Sequence, residues 1–166
     1  MSDTRVIRVE ALNENDFSAF GTAVVVMPGS PPGTSGTGWE CWYPIGEMSG
    51  GVQIGIVESD PAARAITAME RHTGRPECVI ALGAPVIQVV APATTSDRPA
   101  ADQARAFVIE PAQAVVIAPG TWHAAAAPLS GTTVRYIFLL GRPAPTEAPG
   151  TWTRFAGEET LHIQRA

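Results

Sequence analysis

Short apolar runs, each stopped by turn residues, set the limits on what this chain can fold into. Of its 166 residues, 16 are Gly and 15 are Pro. Between these punctuation points lie β-branched and aromatic runs at 5–9, 23–27, 41–43, 52–58, 77–81, 86–91, 104–109, 114–117, 134–140 and 151–155. Gly50-Gly51, Gly83-Ala84-Pro85, Pro119-Gly120 and Ser130-Gly131 separate them. Strands at this spacing predict an all-β sandwich or barrel. One helix is expected over 13–20, where Leu12, Phe17 and Phe20 share a face and Gly21 supplies the stop. A second helical turn fits 61–68. Residues 28–38 consist only of Pro, Gly, Ser and Thr, which reads as a mobile surface loop inside one domain spanning 1–166. A linker there would leave only the preceding 27 residues as a separate core.

Charge composition removes several chemistries. All 11 basic residues are Arg, against 16 acidic ones, for a net charge of −5. Without lysine there is no Schiff-base chemistry and no P-loop. Scattered arginines on an acidic chain argue against nucleic acid as a partner. The longest apolar stretch, 79–93, is broken by Gly83, Pro85, Gln88 and Pro92, so no membrane span is expected. The opening residues lack an apolar secretory core, and a cytoplasmic location is expected. Cys41 and Cys78 read as buried small hydrophobes, since neither has a His beside it in sequence.

Chemistry must then come from few residues. Of the three histidines, His72 and His123 stand beside turn residues at strand ends, where sites are usually built, and His162 is given no role. Residues i and i+2 of a strand share a side, so Glu70 and His72 can face one point. Glu77 can return to it from the next strand, and His123 can close the set from another hairpin. Imidazole with carboxylate suits a divalent Mn, Fe, Ni or Zn ion. The rival reading is a solvated strand end and a packed Trp-His pair. The pattern Glu70-x-His72-x4-Glu77-x5-Gly83 resembles the first cupin motif with its first His replaced by Glu, and Pro119-Gly120-Thr121-Trp122-His123 resembles the second.

A narrower resemblance covers most of the chain. The segment 12–21, with its Phe17-Ser18-Ala19-Phe20-Gly21 ending, Glu70-Arg71-His72, Arg105-Ala106-Phe107, and Trp122-His123 with Pro128-Leu129 beyond are similar to segments of the ureidoglycolate lyase family. The chain departs from that family at 40–46, where a His-Asp pair is absent, and at Ala124, where a second His often stands. The resemblance implies a cupin-like double-stranded β-helix, a jelly-roll barrel with one or two short helices. It also implies a lyase that releases urea and glyoxylate from a small carbinolamide acid.

That elimination needs a base for the hydroxyl proton, an acid for the leaving nitrogen and a cation for the carboxylate. His123 and His72 are the acid/base candidates, and Glu77 orients His72 or binds metal. The metal candidates are Glu70, His72, Glu77 and His123. With no lysine, the small-molecule carboxylate must meet an Arg fork, a backbone nest or the metal. Arg135, Arg105 and Arg71 are the arginine candidates, with Trp122 and Tyr136 beside them. For Arg135 the alternative is a side chain reaching to solvent from its strand start, and for Arg71 a structural ion pair. Trp39, Trp42 and Tyr43 line a pocket or pack structurally. Two other functions stay open: a metal-dependent cupin isomerase, cyclase, lyase or dioxygenase on another polar metabolite, and a non-catalytic barrel binding a small acid. The barrel class implies a homodimer.

Overall fold

The structure is a computed structural model that describes residues 4–26, 29, 31–32, 34–36, 39–41, 51–142, 152–156 and 159–164. Two sheets carry it. The first contains β1 (Thr4–Ala11), β6 (Ala65–Ile66), β9 (Val86–Ala91), β10 (Arg105–Ile109), β12 (Trp122–His123), β13 (Ala127–Pro128) and β16 (Thr160–Gln164). Its order is β12-β9-β10-β1-β16-β6, with β13 also on β9. The second runs β2 (Gly21–Val24), β11 (Ala114–Ile117), β8 (Glu77–Ala81), β14 (Val134–Gly141) and β5 (Val52–Ser59). Two small ribbons pair β3 (Thr34–Gly36) with β4 (Trp39–Cys41), and β7 (Ala68–Met69) with β15 (Thr153–Arg154). This is the all-β architecture expected, with one short α-helix, α1 (Glu14–Phe17), among the described residues.

Local rules explain the elements. Asn13 caps α1, accepting the Asp16 backbone N–H on its side chain at 2.9 Å. The helix is one turn long because Gly21 follows closely and begins β2. At Gly21 (φ 151°) a Cβ would fall 1.9 Å from the Val116 carbonyl oxygen, so β2 can approach β11 this closely only through glycine. β9 is buried at all six positions. Its two faces meet two different apolar layers, which is why its sequence does not alternate.

The inner layer lies between the sheets. Phe17, Phe20, Val86, Val90, Phe107, Val115, Ile117 and Tyr136 meet there. The Phe107 ring is edge-on to Phe17 at 5.2 Å and tilted against Phe20 at 5.8 Å. Ile87, Val89, Ala106, Trp122, Phe155, Leu161 and Ile163 form a second layer on the other side of β9 and β10. In the second sheet, Val134, Tyr136 and Phe138 alternate with Arg135, Ile137 and Leu139 along β14. Gly55 pairs with Phe138 in this register, and a Cβ at Gly55 would strike the Phe138 ring at 2.2 Å. The edge strand β5 leaves Ile54 and Ile56 exposed at 73% and 67%.

Several expected boundaries shift. β2 spans Gly21–Val24 rather than 23–27, because its pairing with β11 starts at the glycine. Within 28–38, expected as loop throughout, Thr34–Gly36 pairs as a strand; residues 28, 30, 33, 37 and 38 lie outside the described residues. Of 41–43, Cys41 lies in β4 and the other two lie outside the described residues, as do the side chains of Trp39 and Trp42 and the whole of Tyr43. The helical turn expected at 61–68 is a 3-10 turn, Pro61–Arg64, followed by strand. No helix among the described residues is long and apolar enough to cross a membrane. Phe107 is fully buried with the Phe17 and Phe20 rings packed against it. Phe107→Ala is therefore expected to lower unfolding stability by about 3–5 kcal/mol, measured by denaturant titration.

Candidate functional site

Turn chemistry and strand alternation bring four side chains to one point. Gly120, at φ 84°, makes the turn that brings Thr121-Trp122-His123 back against β9, with Trp122 opposite Ala91 and His123 opposite Val90. Glu70 then bridges His123 directly: each backbone N–H donates to the other's carbonyl at 2.9 Å. Two residues on, the His72 carbonyl accepts the Gly120 N–H at 2.7 Å. Glu70 and His72 thus face the same side, and Glu77 reaches them from the start of β8.

The four donor atoms lie within 4.8 Å of one another. His72 Nε2 is 3.2 Å from Glu77 Oε2 and 4.0 Å from Glu70 Oε2. His123 Nε2 is 3.4 Å from Glu77 Oε2 and 3.8 Å from Glu70 Oε1. They sit on the floor of a cavity of about 380 Å³, whose walls include Val57, Gln88, Tyr136, Phe138, Leu140 and Trp152.

Charge in this floor is strongly coupled. Burial opposes ionisation of Glu77, but the His123 and His72 imidazoles beside its carboxylate outweigh it and hold its carboxyl at about 2. For Glu70 burial wins and raises the carboxyl above its usual range, although His123 pulls the other way. Burial disfavours charge on His123, yet the Glu77 carboxylate 3.4 Å away raises its pKa above the usual value. His123 Nδ1 lies 3.1 Å from the Thr121 carbonyl, which fixes a proton there. Its Nε2 lone pair then points at two carboxylates, is buried and has no hydrogen-bond partner. A positive centre must stand between them, either a proton or a metal ion. Ligands bonded at about 2.0–2.2 Å stand roughly 3 to 4.4 Å apart around a metal, so two imidazoles and two carboxylates at these separations fit a divalent ion.

The structure sorts the remaining expected site residues. Tyr136 lines the cavity, and its hydroxyl accepts the Ala126 N–H at 3.1 Å; burial raises the phenol to about 12. Arg71 and Trp122 do not reach the cavity. Alternation against His72 and His123 turns both to the opposite side, where the guanidinium lies 4.3 Å over the indole ring. Arg71 Nη1 donates to the Thr94 carbonyl at 3.0 Å, and Trp122 Nε1 donates to Thr94 Oγ1 at 2.9 Å. Arg105 is engaged by the Glu10 carboxylate and by Asp16, where it fastens α1 to β10. Arg135 projects outward from β14 and pairs with Glu58 at 2.8 Å, with 69% of its side chain exposed. The substrate-anchoring roles expected of Arg71, Arg105, Arg135 and Trp122 are accordingly not supported by their positions. No Lys or Arg is among the described residues lining the cavity. Gln88 was not singled out as a site residue; a lone polar side chain inside the apolar run 86–91 was the available signal.

The profile of the ureidoglycolate lyase family matches residues 4–147. A curated ureidoglycolate lyase from Burkholderia cepacia is 31% identical over 154 residues, covering 87% of this chain and 85% of that one. Among solved structures, the chain is similar to an oxalate decarboxylase–formate complex from Lactobacillus farciminis, with 14% identity and a TM-score of 0.43 over 60% of this chain and 26% of that one. It is similar also to a Bacillus subtilis oxalate decarboxylase, with 13% identity and a TM-score of 0.43 over 60% of this chain and 24% of that one. The chain spans about a quarter of those two structures. Its match over residues 4–147, together with the Burkholderia relative, places it in a single family: the chain belongs to the ureidoglycolate lyase family.

Proposed function

We propose that this chain is a ureidoglycolate lyase, splitting the C–N bond of a carbinolamide acid to release urea and glyoxylate. The observation that carries the reading is the convergence of Glu70, His72, Glu77 and His123 on the floor of one cavity in a member of this family. The reaction moves one proton and involves no redox change. The hydroxyl oxygen loses its proton as the C=O bond forms. The C–N electron pair departs with the urea nitrogen, which takes up a proton.

The cavity lining, with no Lys or Arg among its described residues, needs another positive charge to receive a carboxylate. A divalent ion of the Mn, Fe, Ni or Zn class would supply that charge, and His72, Glu77 and His123, with Glu70 beside them, would hold it. When bound, such an ion supplies charge stabilisation for the substrate carboxylate and for the developing oxyanion. Glu77 stays ionised and orients both imidazoles. His123 is nearly inaccessible, with its Nδ1 anchored on Thr121, so it serves as a ligand rather than as the acid/base first expected of it. Glu70 is the most open of the four and has a raised carboxyl pKa; it carries the proton from hydroxyl oxygen to leaving nitrogen. Val57, Phe138 and Leu140 form an apolar wall that keeps water from the reacting centre.

Two measurements check this. Metal analysis of purified protein should find about one divalent ion per chain; chelation should abolish release of urea and glyoxylate, and readdition should restore it. Glu70→Gln should lower kcat by roughly 10²–10⁴-fold while keeping the metal, whereas His123→Ala should lose both metal and activity. If metal-loaded wild-type protein releases neither urea nor glyoxylate from ureidoglycolate, the lyase reading is wrong.

A further inference from the structure

Gln88 is the one fully buried polar side chain of β9. It alternates with Ile87 and Val89, so it shares the inner side with Val86 and Val90 and lines the cavity. Its Nε2 donates to the Ala124 carbonyl at 2.7 Å and to the Val89 carbonyl at 3.2 Å. Both amide hydrogens are therefore committed. The group cannot be turned over, because its oxygen would then face those two carbonyls. This leaves Oε1 as a buried acceptor with no hydrogen-bond partner, an arrangement that is costly unless something supplies a donor. This wall of the cavity thus offers an acceptor to a ligand N–H.

We infer that Gln88 Oε1 receives a ureido N–H of the substrate, making Gln88 the residue that selects carbamoyl-bearing acids over plain hydroxy acids. The inference rests on the lyase reading of the same cavity. Losing a recognition contact made equally in ground and transition states raises KM and leaves kcat nearly unchanged, so Gln88→Met should show that split.

Calorimetry on the metal-loaded protein tests it with three probes: hydantoate, which keeps carboxylate and ureido group but lacks the hydroxyl and cannot eliminate; its fully N-methylated form; and glycolate. Wild type should bind hydantoate about tenfold more tightly than either of the others. In Gln88→Met, hydantoate and its methylated form should bind alike. A methylation penalty that persists in the variant overturns the inference, because it would then be steric. If the variant does not fold, equal binding of hydantoate and glycolate by wild type overturns it. Urea release without any N–H preference removes this subsite and leaves the lyase reading standing. An N–H preference without urea release does the reverse.

Discussion

Two carboxylates and two imidazoles share a water-poor floor, and the rest of the site follows from neutralising them. Taking a carboxylate out of water is expensive unless a positive partner comes with it. Glu77 meets this condition by lying against both imidazoles, at 3.2 Å from His72 and 3.4 Å from His123, which keeps it ionised despite its burial. Glu70 meets it less completely and drifts toward the protonated form. The fold supports the cluster largely with backbone: the reciprocal Glu70–His123 bridge, the Gly120–His72 bond and the Thr121 carbonyl all come from the two hairpins that carry the four residues, and the buried Arg75 adds a positive charge that favours ionised Glu70. An ion entering this floor would find its ligands already placed.

Alternation then divides the same two hairpins by purpose. Glu70 and His72 turn inward, and Arg71 turns out. His123 turns inward, and Trp122 turns out. The outward pair stack on each other and meet at Thr94, so the strand segments that present the site are clamped from behind. Second-layer packing of this kind holds ligand geometry more firmly than a loop would.

How much of this was legible in the sequence depended on whether the signal was local. The strands at 77–81, 86–91 and 114–117 were readable to the residue, since each is a bounded apolar run. The convergence of Glu70, His72, Glu77 and His123 was readable because spacing along two hairpins carries them. The arginines were not. Arg105 finds Glu10 at 95 residues' separation and Arg135 finds Glu58 at 77, and no local pattern announces such partners. β16 also escaped: it pairs in parallel with β1, across nearly the whole chain length, and its short run around His162 carries no turn signature. Nor could Gln88 be given a role until the carbonyl of Ala124 was seen to hold its amide.

The Gly55–Phe138 contact has a further consequence. Phe138 forms part of the cavity wall, and its ring rests on the bare backbone of Gly55 in the neighbouring strand. Any side chain at position 55 would drive the ring inward and shrink the space available to a ligand. The size of substrate this barrel admits is thus governed by a residue that no substrate touches. A relative could retune its diet by changing that position alone, with every group that does chemistry left in place.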